Sequence, residues 1–307
     1  MPTVQTPPPP LAIALKKQAM SLDAEMIRRL RFVHRLSFKL MHEFRLATKR
    51  QRAWWRLGRS MTGRKSVCNA IDRLADAARL LAPMRDAYVM RRTMGRLARE
   101  TGAGTAGVAL GAATRELAAV ARDTPSATFP ALRERLIRTL VSDAASWRRL
   151  PASPDANARM LAGLTETYRY ARRRGRRAMR RPTFANLHSW RKWVKIFIVH
   201  TEFVLGQRPN CLRTKIPRLV RLNRQLGRCH DLMLLDGWLA LRASSGALNA
   251  RDARRMRALL AGRQQSLRSS CVRLGRGLFA AKPKVFALRL SRAFHSIPKP
   301  QSPPGPP

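Results

Sequence analysis

Two short runs of side chains carry most of the chemistry that can be read from this chain. The first is His42-x-x-Arg45-x-x-x-Lys49-x-x-Arg52-x-x-x-Arg56, and the second is His188-x-x-Arg191-Lys192-x-x-Lys195. Arg keeps its charge at any ordinary pH and can fork two donors onto carboxylate or phosphate oxygens. Lys adds a point charge. An imidazole donates to an anionic oxygen and gains a proton close to neutrality. At the helical rotation of about 100° per residue, Arg45, Lys49, Arg52 and Arg56 all fall within roughly 80° of His42. Leu40, Phe44, Ala47 and Trp54 fall on the opposite side, so one face is basic and the other is core. Like charges three and four apart cost roughly 0.2–0.5 kcal/mol per pair. Solvated helices avoid that cost by alternating sign. A ladder without an intervening acid is therefore expected to face a line of negative charge.

Composition says how wide the choice of partner is. The chain has 307 residues, with 62 Lys+Arg against 17 Asp+Glu, a net charge of +45 and 45% hydrophobic residues. That much apolar content excludes a disordered basic tail and supports one large domain or two smaller ones. The charge repels itself in the folded state and calls for a polyanion. Nucleic acid, inorganic polyphosphate and an anionic membrane surface are all compatible with it. The cysteines Cys68, Cys211, Cys229 and Cys271 show no C-x-x-C or Cys/His spacing and read as reduced core residues. His42 has no His or acid at i+4, so no metal site is expected. No cofactor motif is present. The N-terminus lacks the basic start and apolar stretch of a signal peptide, and no run reaches the length of a membrane span. A cytoplasmic protein without a membrane span is expected.

These ladders must be held by helices. Between a Pro-rich tail at 1–18 and another at 297–307, Ala, Leu and Arg dominate, with apolar residues recurring at three and four. Breaks fall at Gly58–Gly63, Pro83, Thr101–Gly107, Asp123–Pro130, Pro151–Asp155, Pro182–Asn186, Gly206–Asn210 and Ser244–Asn249. About ten helices and no sheet follow from that partition. The chain also repeats itself. His42, Arg45 and Lys49 recur as His188, Arg191 and Lys195 at an offset of 146 residues. Upstream, Arg28, Arg31 and Arg35 fall at the same offset on Arg174, Arg177 and Arg181. Downstream, Arg85-Asp86 matches His230-Asp231 at an offset of 145. Both Asp residues are expected in the first turn of a new helix, after Pro83 and Gly227, complementing the helix dipole or holding a ladder cation. Two similar halves, about 19–163 and 164–296, imply a pseudo-twofold with matching faces meeting at one central surface. The second ladder is shorter: Ile198 stands where Arg52 stands in the first copy, and Glu202 stands where Arg56 does. Glu202 is expected to orient or neutralise basic neighbours. His200 and His295 suggest no function.

At these motifs the sequence resembles the CHAD domain family. The family pattern H-x-x-R-V-A-T-R-R-x-R is close to His42–Arg52, and L-G-x-x-R-D is close to Leu81–Asp86. Y-R-R-G-R-R-A followed by L-H-x-x-R-K-x-x-K is similar to Tyr170–Met179 and Leu187–Lys195, and the closing L-G-x-x-H-D to Leu226–Asp231. The resemblance spans about 19–295. It implies an all-α fold of two helical bundles around a basic central groove or pore, binding of inorganic polyphosphate, and association with polyphosphate granules. It carries His42, Arg45, Lys49, Arg50 and Arg52 onto the first motif, and His188, Arg191, Lys192 and Lys195 onto the second. Ile198, Val199 and Ala82-Pro83 depart from the family pattern. Some relatives add a triphosphatase domain built on E-x-E-x-K; this chain has no such motif and no acid cluster for Mg²⁺.

The expected activity is therefore non-catalytic binding of polyphosphate by Arg, Lys and His ladders, joined by the upstream Arg28/Arg31/Arg35 and Arg174/Arg177/Arg181 blocks and by Arg85 and His230. The alternative is non-specific binding of DNA or RNA. Against it, the aromatics fall on apolar stripes away from the basic faces, and the ladders offer little Asn or Gln for base edges. A phosphate-metabolising enzyme is the third reading.

Overall fold

The computed structural model describes residues 10–82, 129–151, 155–207, 212–246 and 248–295, with the isolated positions 88, 92, 93, 95 and 99. It is all-α, and no strand occurs among the described residues. The helices are α1 (Leu11–Arg31), α2 (Phe38–Leu57), α3 (Arg64–Leu80), α4 (Phe129–Arg148), α5 (Ala156–Arg180), α6 (Phe184–Gln207), α7 (Ile216–Ser244), α8 (Ala250–Leu278) and α9 (Pro283–His295). Local chemistry sets their ends. Ser37 caps α2 by accepting from the Leu40 N–H at 3.1 Å, and Asn249 caps α8 by accepting from the Arg251 N–H at 2.9 Å. Pro217 sits at the start of α7, where its missing N–H is harmless. α5 stops at Arg180, just before Pro182.

Two expectations about boundaries differ from the structure. α1 starts at Leu11, inside the span read as tail, because Leu11, Ala12, Ala14 and Leu15 are buried and the Leu11 N–H is accepted by Asn157 Oδ1 at 2.8 Å. No helix starts after Gly227: α7 runs through it, which places Asp231 mid-helix instead of in a first turn. Arg85, Asp86, the breaks at Pro83 and Thr101–Gly107, and residues 123–128 of the next break lie outside the described residues, as do 1–9 and 296–307. Cys229 and Cys271 are buried, as expected of core thiols, but Cys68 is exposed on α3, whose buried stripe is Val67, Ala70 and Leu74. Cys211 lies outside the described residues.

Consecutive helices α5 to α8 pack on one another, α1 packs on α4, α2 packs on α3, and α9 closes over α5. The larger apolar core ignores the boundary between the halves: Leu15, Trp55 and Leu74 share it with Leu164, Phe197 and Leu226. A smaller one holds Met26, Leu40, Phe44, Leu136 and Leu140. Trp54 and Trp55 are core, as their wheel positions imply. Trp55 stacks on Trp147 at 3.9 Å between centroids, and the two indole N–H groups donate to the Asp143 carboxylate oxygens at 2.8 and 3.1 Å. Gln51 donates to Asp23 Oδ1 at 2.8 Å and to the Ala19 carbonyl at 2.7 Å. This buried network ties α1, α2 and α4 together. Burial raises the pKa of both carboxyls, and the Asp143 charge raises that of Asp23 further.

Candidate functional site

α2 also packs against α6, and the basic faces of the two helices line one cavity of about 360 Å³. Arg45, Lys49, Arg52 and Arg56 come from α2, and His188, Arg191, Lys192 and Lys195 come from α6. α7 adds His230. A wider cavity of about 800 Å³ shares Arg45, Lys49, Arg191 and Lys195 and continues past His42 to Lys39, Arg92, Arg224 and Arg228. Among the described lining residues of both, Asp231 is the one acid. The remaining wall of the first is apolar, from Ala53, Ile196 and Val199, so the second ladder ends in hydrocarbon where the first continues as Arg52 and Arg56.

Arg45, Arg56 and Arg191 are positioned by the backbone around them. The Arg45 guanidinium donates to the Ala78 carbonyl in the last turn of α3, where the helix dipole is negative. Arg56 Nη1 donates to the Arg52 carbonyl at 2.8 Å. Gly227 lets α7 approach Arg191: a Cβ there would lie 3.4 Å from its Nε and Nη2. His188, His230 and Phe184 form a ring cluster, with His188–His230 and Phe184–His230 centroids 4.8 and 4.9 Å apart. Glu43, the one acid in the first ladder's stretch, is bonded to Arg29 of α1, and its charge acts on His42 less than burial, Lys49 and Lys195 do.

The electrostatics of the site is that of cations crowded together. Burial lowers the pKa of Arg56 to about 10, and the Arg52 charge adds to the effect. Arg52 is lowered by burial and then by Arg79. Lys192 is lowered by desolvation of its ammonium, then by Arg56, Arg52 and Arg174. His42 is lowered by burial, then by Lys49 and by Lys195 of the other half. The Nε atoms of Arg52 and Arg174 are buried without a hydrogen-bond partner among the described residues. An anion in the cavity would stabilise the charged form of every one of these groups.

The structure does not gather all the candidates. Arg50 leaves the cavity: it lies about a third of a turn round α2 from the other ladder cations. It shares another cavity with Glu202 and approaches the Trp54 ring at 6.0 Å. Glu202 accordingly faces Arg50, not the ladders. Arg28 pairs with Glu25 at 2.5 Å on the outer surface of α1. Arg31, Arg35, Arg177 and Arg181 line neither basic cavity, while Arg174 reaches the rim through its charge on Lys192. Arg85 lies outside the described residues. Sequence reasoning missed Lys39, Arg92, Arg224 and Arg228. The spacing of four between Arg224 and Arg228, just ahead of His230, was the available signal. The expectation that aromatics stay away from the basic faces is corrected: Phe38 and Tyr88, stacked with centroids 4.9 Å apart, line the wider basic cavity, and Phe184 lies against His230. Trp54, Trp55 and Trp190 are buried, but Tyr170 and Trp193 line a further cavity with Arg56, Arg59 and Arg64.

No helix among the described residues is long and apolar enough to cross a membrane. No curated protein matches the chain. The crystal structure of the CHAD domain from the plant Ricinus communis matches with a TM-score of 0.65 at 18% identity, covering 92% of this chain and 96% of that one. The CHAD domain model matches residues 32–240, a span that holds α2, α6 and His230 together. With more than half of its length matched across both ladders, the chain belongs to the CHAD domain family.

Proposed function

We propose that this protein binds inorganic polyphosphate, without turning it over, in the cavity between α2 and α6. The observation that carries this reading is the lining itself: seven Lys or Arg side chains and two imidazoles from both halves surround one space. The family's association with polyphosphate supports it. A polyphosphate chain presents repeated charge and no edges to read, which suits a site made of cations and hydrocarbon. Phosphoryl transfer needs a metal clamp or a positioned base, and among the described residues of these walls the acid is the single Asp231. Association with polyphosphate granules in the cytoplasm would follow from such binding.

Affinity measured across salt for wild type and for Arg45→Ala combined with Arg191→Ala tests the proposal. Binding should weaken steeply with salt through counterion release. The double variant should bind at least tenfold more weakly, with a slope smaller by roughly 1.4, taking 0.7 per lost contact on a flexible polyanion. Unchanged affinity, or DNA of equal charge binding as tightly as polyphosphate, would defeat the proposal. The thermal midpoint of the variant should be recorded beside it, because Arg45 also holds the end of α3.

A further inference from the structure

Three of the chain's six histidines stand on the walls of the two basic cavities: His188 and His230 between the ladders, and His42 in the wider space beyond. His42 is exposed on α2, three residues before Arg45. Its charged neighbours belong to both ladders. Lys49 of α2, Lys195 of α6 and Arg92 oppose a proton on its ring, and Glu43 favours one. Across the same cavity α7 offers Arg224, Arg228 and Asp231. His188 of α6 and His230 of α7 meet with ring centroids 4.8 Å apart, and Phe184 stacks on His230 at 4.9 Å. The four ladder cations of α2 share the cavity with this pair, as do Arg191, Lys192 and Lys195 of α6.

A proton on either ring of the pair meets the charge of the ladders and, once one ring is charged, the charge of the other ring as well. A phosphate chain among the same cations reverses that field. It also gives a charged imidazole, with two N–H donors, more to bond than a neutral one with a single donor. We propose that polyphosphate binding is coupled to protonation of His42 and of the His188–His230 pair, so that the site holds the chain more tightly as the pH falls through neutrality. This rests on the reading given above, that the chain lies between α2 and α6. Partial burial, Lys49 and Lys195 hold the His42 ring below the ordinary histidine value in the free protein, so its proton arrives with the ligand. Linkage then works both ways: a ligand that favours the protonated form is bound more tightly by that form. Arg56, which titrates at about 10, keeps its charge throughout this range. The buried Asp23–Asp143 pair belongs to the core network and lines neither cavity.

The test is titration calorimetry of the full chain with long-chain polyphosphate at pH 6.5, in buffers of different ionisation enthalpy and one ionic strength. The dependence of the heat on the buffer counts the protons taken up, and long chains keep the titrating terminal phosphates few. Wild type should take up about one proton or more per protein bound. Its affinity should rise roughly tenfold or more from pH 8 to pH 6, because one pKa unit on one imidazole is worth about a factor of ten. His42→Asn, at an exposed position, should lower both the uptake and the pH dependence. Adding His188→Asn and His230→Asn should remove most of what is left. His34→Asn, on the exposed connection between α1 and α2, should behave as wild type. The proposal is overturned if polyphosphate binds without proton uptake and equally well at pH 8 and pH 6, if His42→Asn takes up as many protons as wild type, or if His34→Asn loses as much uptake as His42→Asn. Binding without proton uptake would leave polyphosphate binding between the ladders intact, whereas absence of binding at every pH would defeat both.

Discussion

His200 shows what a single residue does in this fold beyond carrying charge. It is fully buried where α2, α5 and α6 meet. Its Nε2 lies 2.7 Å from the Ala53 carbonyl, which can only accept, so that nitrogen carries the proton. Nδ1 is then the acceptor facing Thr167 Oγ1 at 3.1 Å. Burial pushes the imidazole pKa down to about 4, and the Arg56 charge contributes to the shift. The unfolded chain therefore binds a proton near pH 6.5 that the folded chain refuses until about pH 4. Stability from this group is complete above pH 6.5 and is lost as the pH falls toward 4, by roughly 3 kcal/mol across the window. His200→Gln should be less stable at pH 7 but should lose less on acidification. Urea midpoints at pH 7 and pH 4.5 measure that difference, and parallel losses in the two proteins would refute it. Comparing the two also cancels the buried Asp23–Asp143 pair, whose raised pKa values act in the opposite direction. The ladders could be read from sequence because their members sit three and four apart on one helix. His200 could not, because its partners lie 33 and 147 residues away on other helices.

At the scale of elements, the most constrained packing surrounds Trp190 of α6. A Cβ on Gly175 of α5 would lie 2.7 Å from its Nε1, and one on Gly275 of α8 would lie 2.6 Å from its Cη2. The indole thus holds three helices at a fixed separation. Gly175 sits within the arginine run at 171–182, where composition suggests only a basic patch. On an open helix face, Gly→Ala would stabilise by about 1 kcal/mol. Here the sign should reverse: Gly175→Ala forces a methyl against a buried ring and should cost about 1–3 kcal/mol. Adding Trp190→Leu should make the Gly175→Ala change nearly neutral in that background. A rise in unfolding free energy on Gly175→Ala alone would show that the clasp is looser than described. The same comparison explains which boundaries were legible. The breaks at Gly58–Gly63, Pro151–Asp155, Pro182–Asn186 and Ser244–Asn249 follow from local turn chemistry and appear as expected. Gly227 misled, because its smallness makes room for Arg191 across an unbroken helix. Leu11 and Leu15 misled too, because their burial depends on helices far along the chain.

For the whole molecule the governing quantity is a net charge of +45 spread over one continuous fold. Several of the acids pair with outer-surface arginines, as in Glu25–Arg28, Asp76–Arg79, Glu134–Arg138 and Asp236–Arg257, and two more are buried together. Exposed pairs of this kind contribute little each, and they leave the walls of the central cavities cationic. Salt should therefore act with opposite signs on the free and the bound protein. In the free protein it screens self-repulsion, within a Debye length of about 10 Å at 0.1 M, and should raise the thermal midpoint. In the presence of saturating polyphosphate the midpoint starts higher, because a ligand that binds only the folded state stabilises it by mass action. That increment shrinks with salt as counterion release weakens binding. The two melting curves, recorded from low to high monovalent salt, should converge from opposite directions. Curves that stay parallel would mean that the stabilising contact is not made by charge, and the ladders would then need another partner. Convergence in wild type, together with a smaller initial gap in the Arg45→Ala, Arg191→Ala variant, would locate the relief of repulsion in the cavity between α2 and α6 and not on the outer surface, where most of the positive charge of this variant is retained.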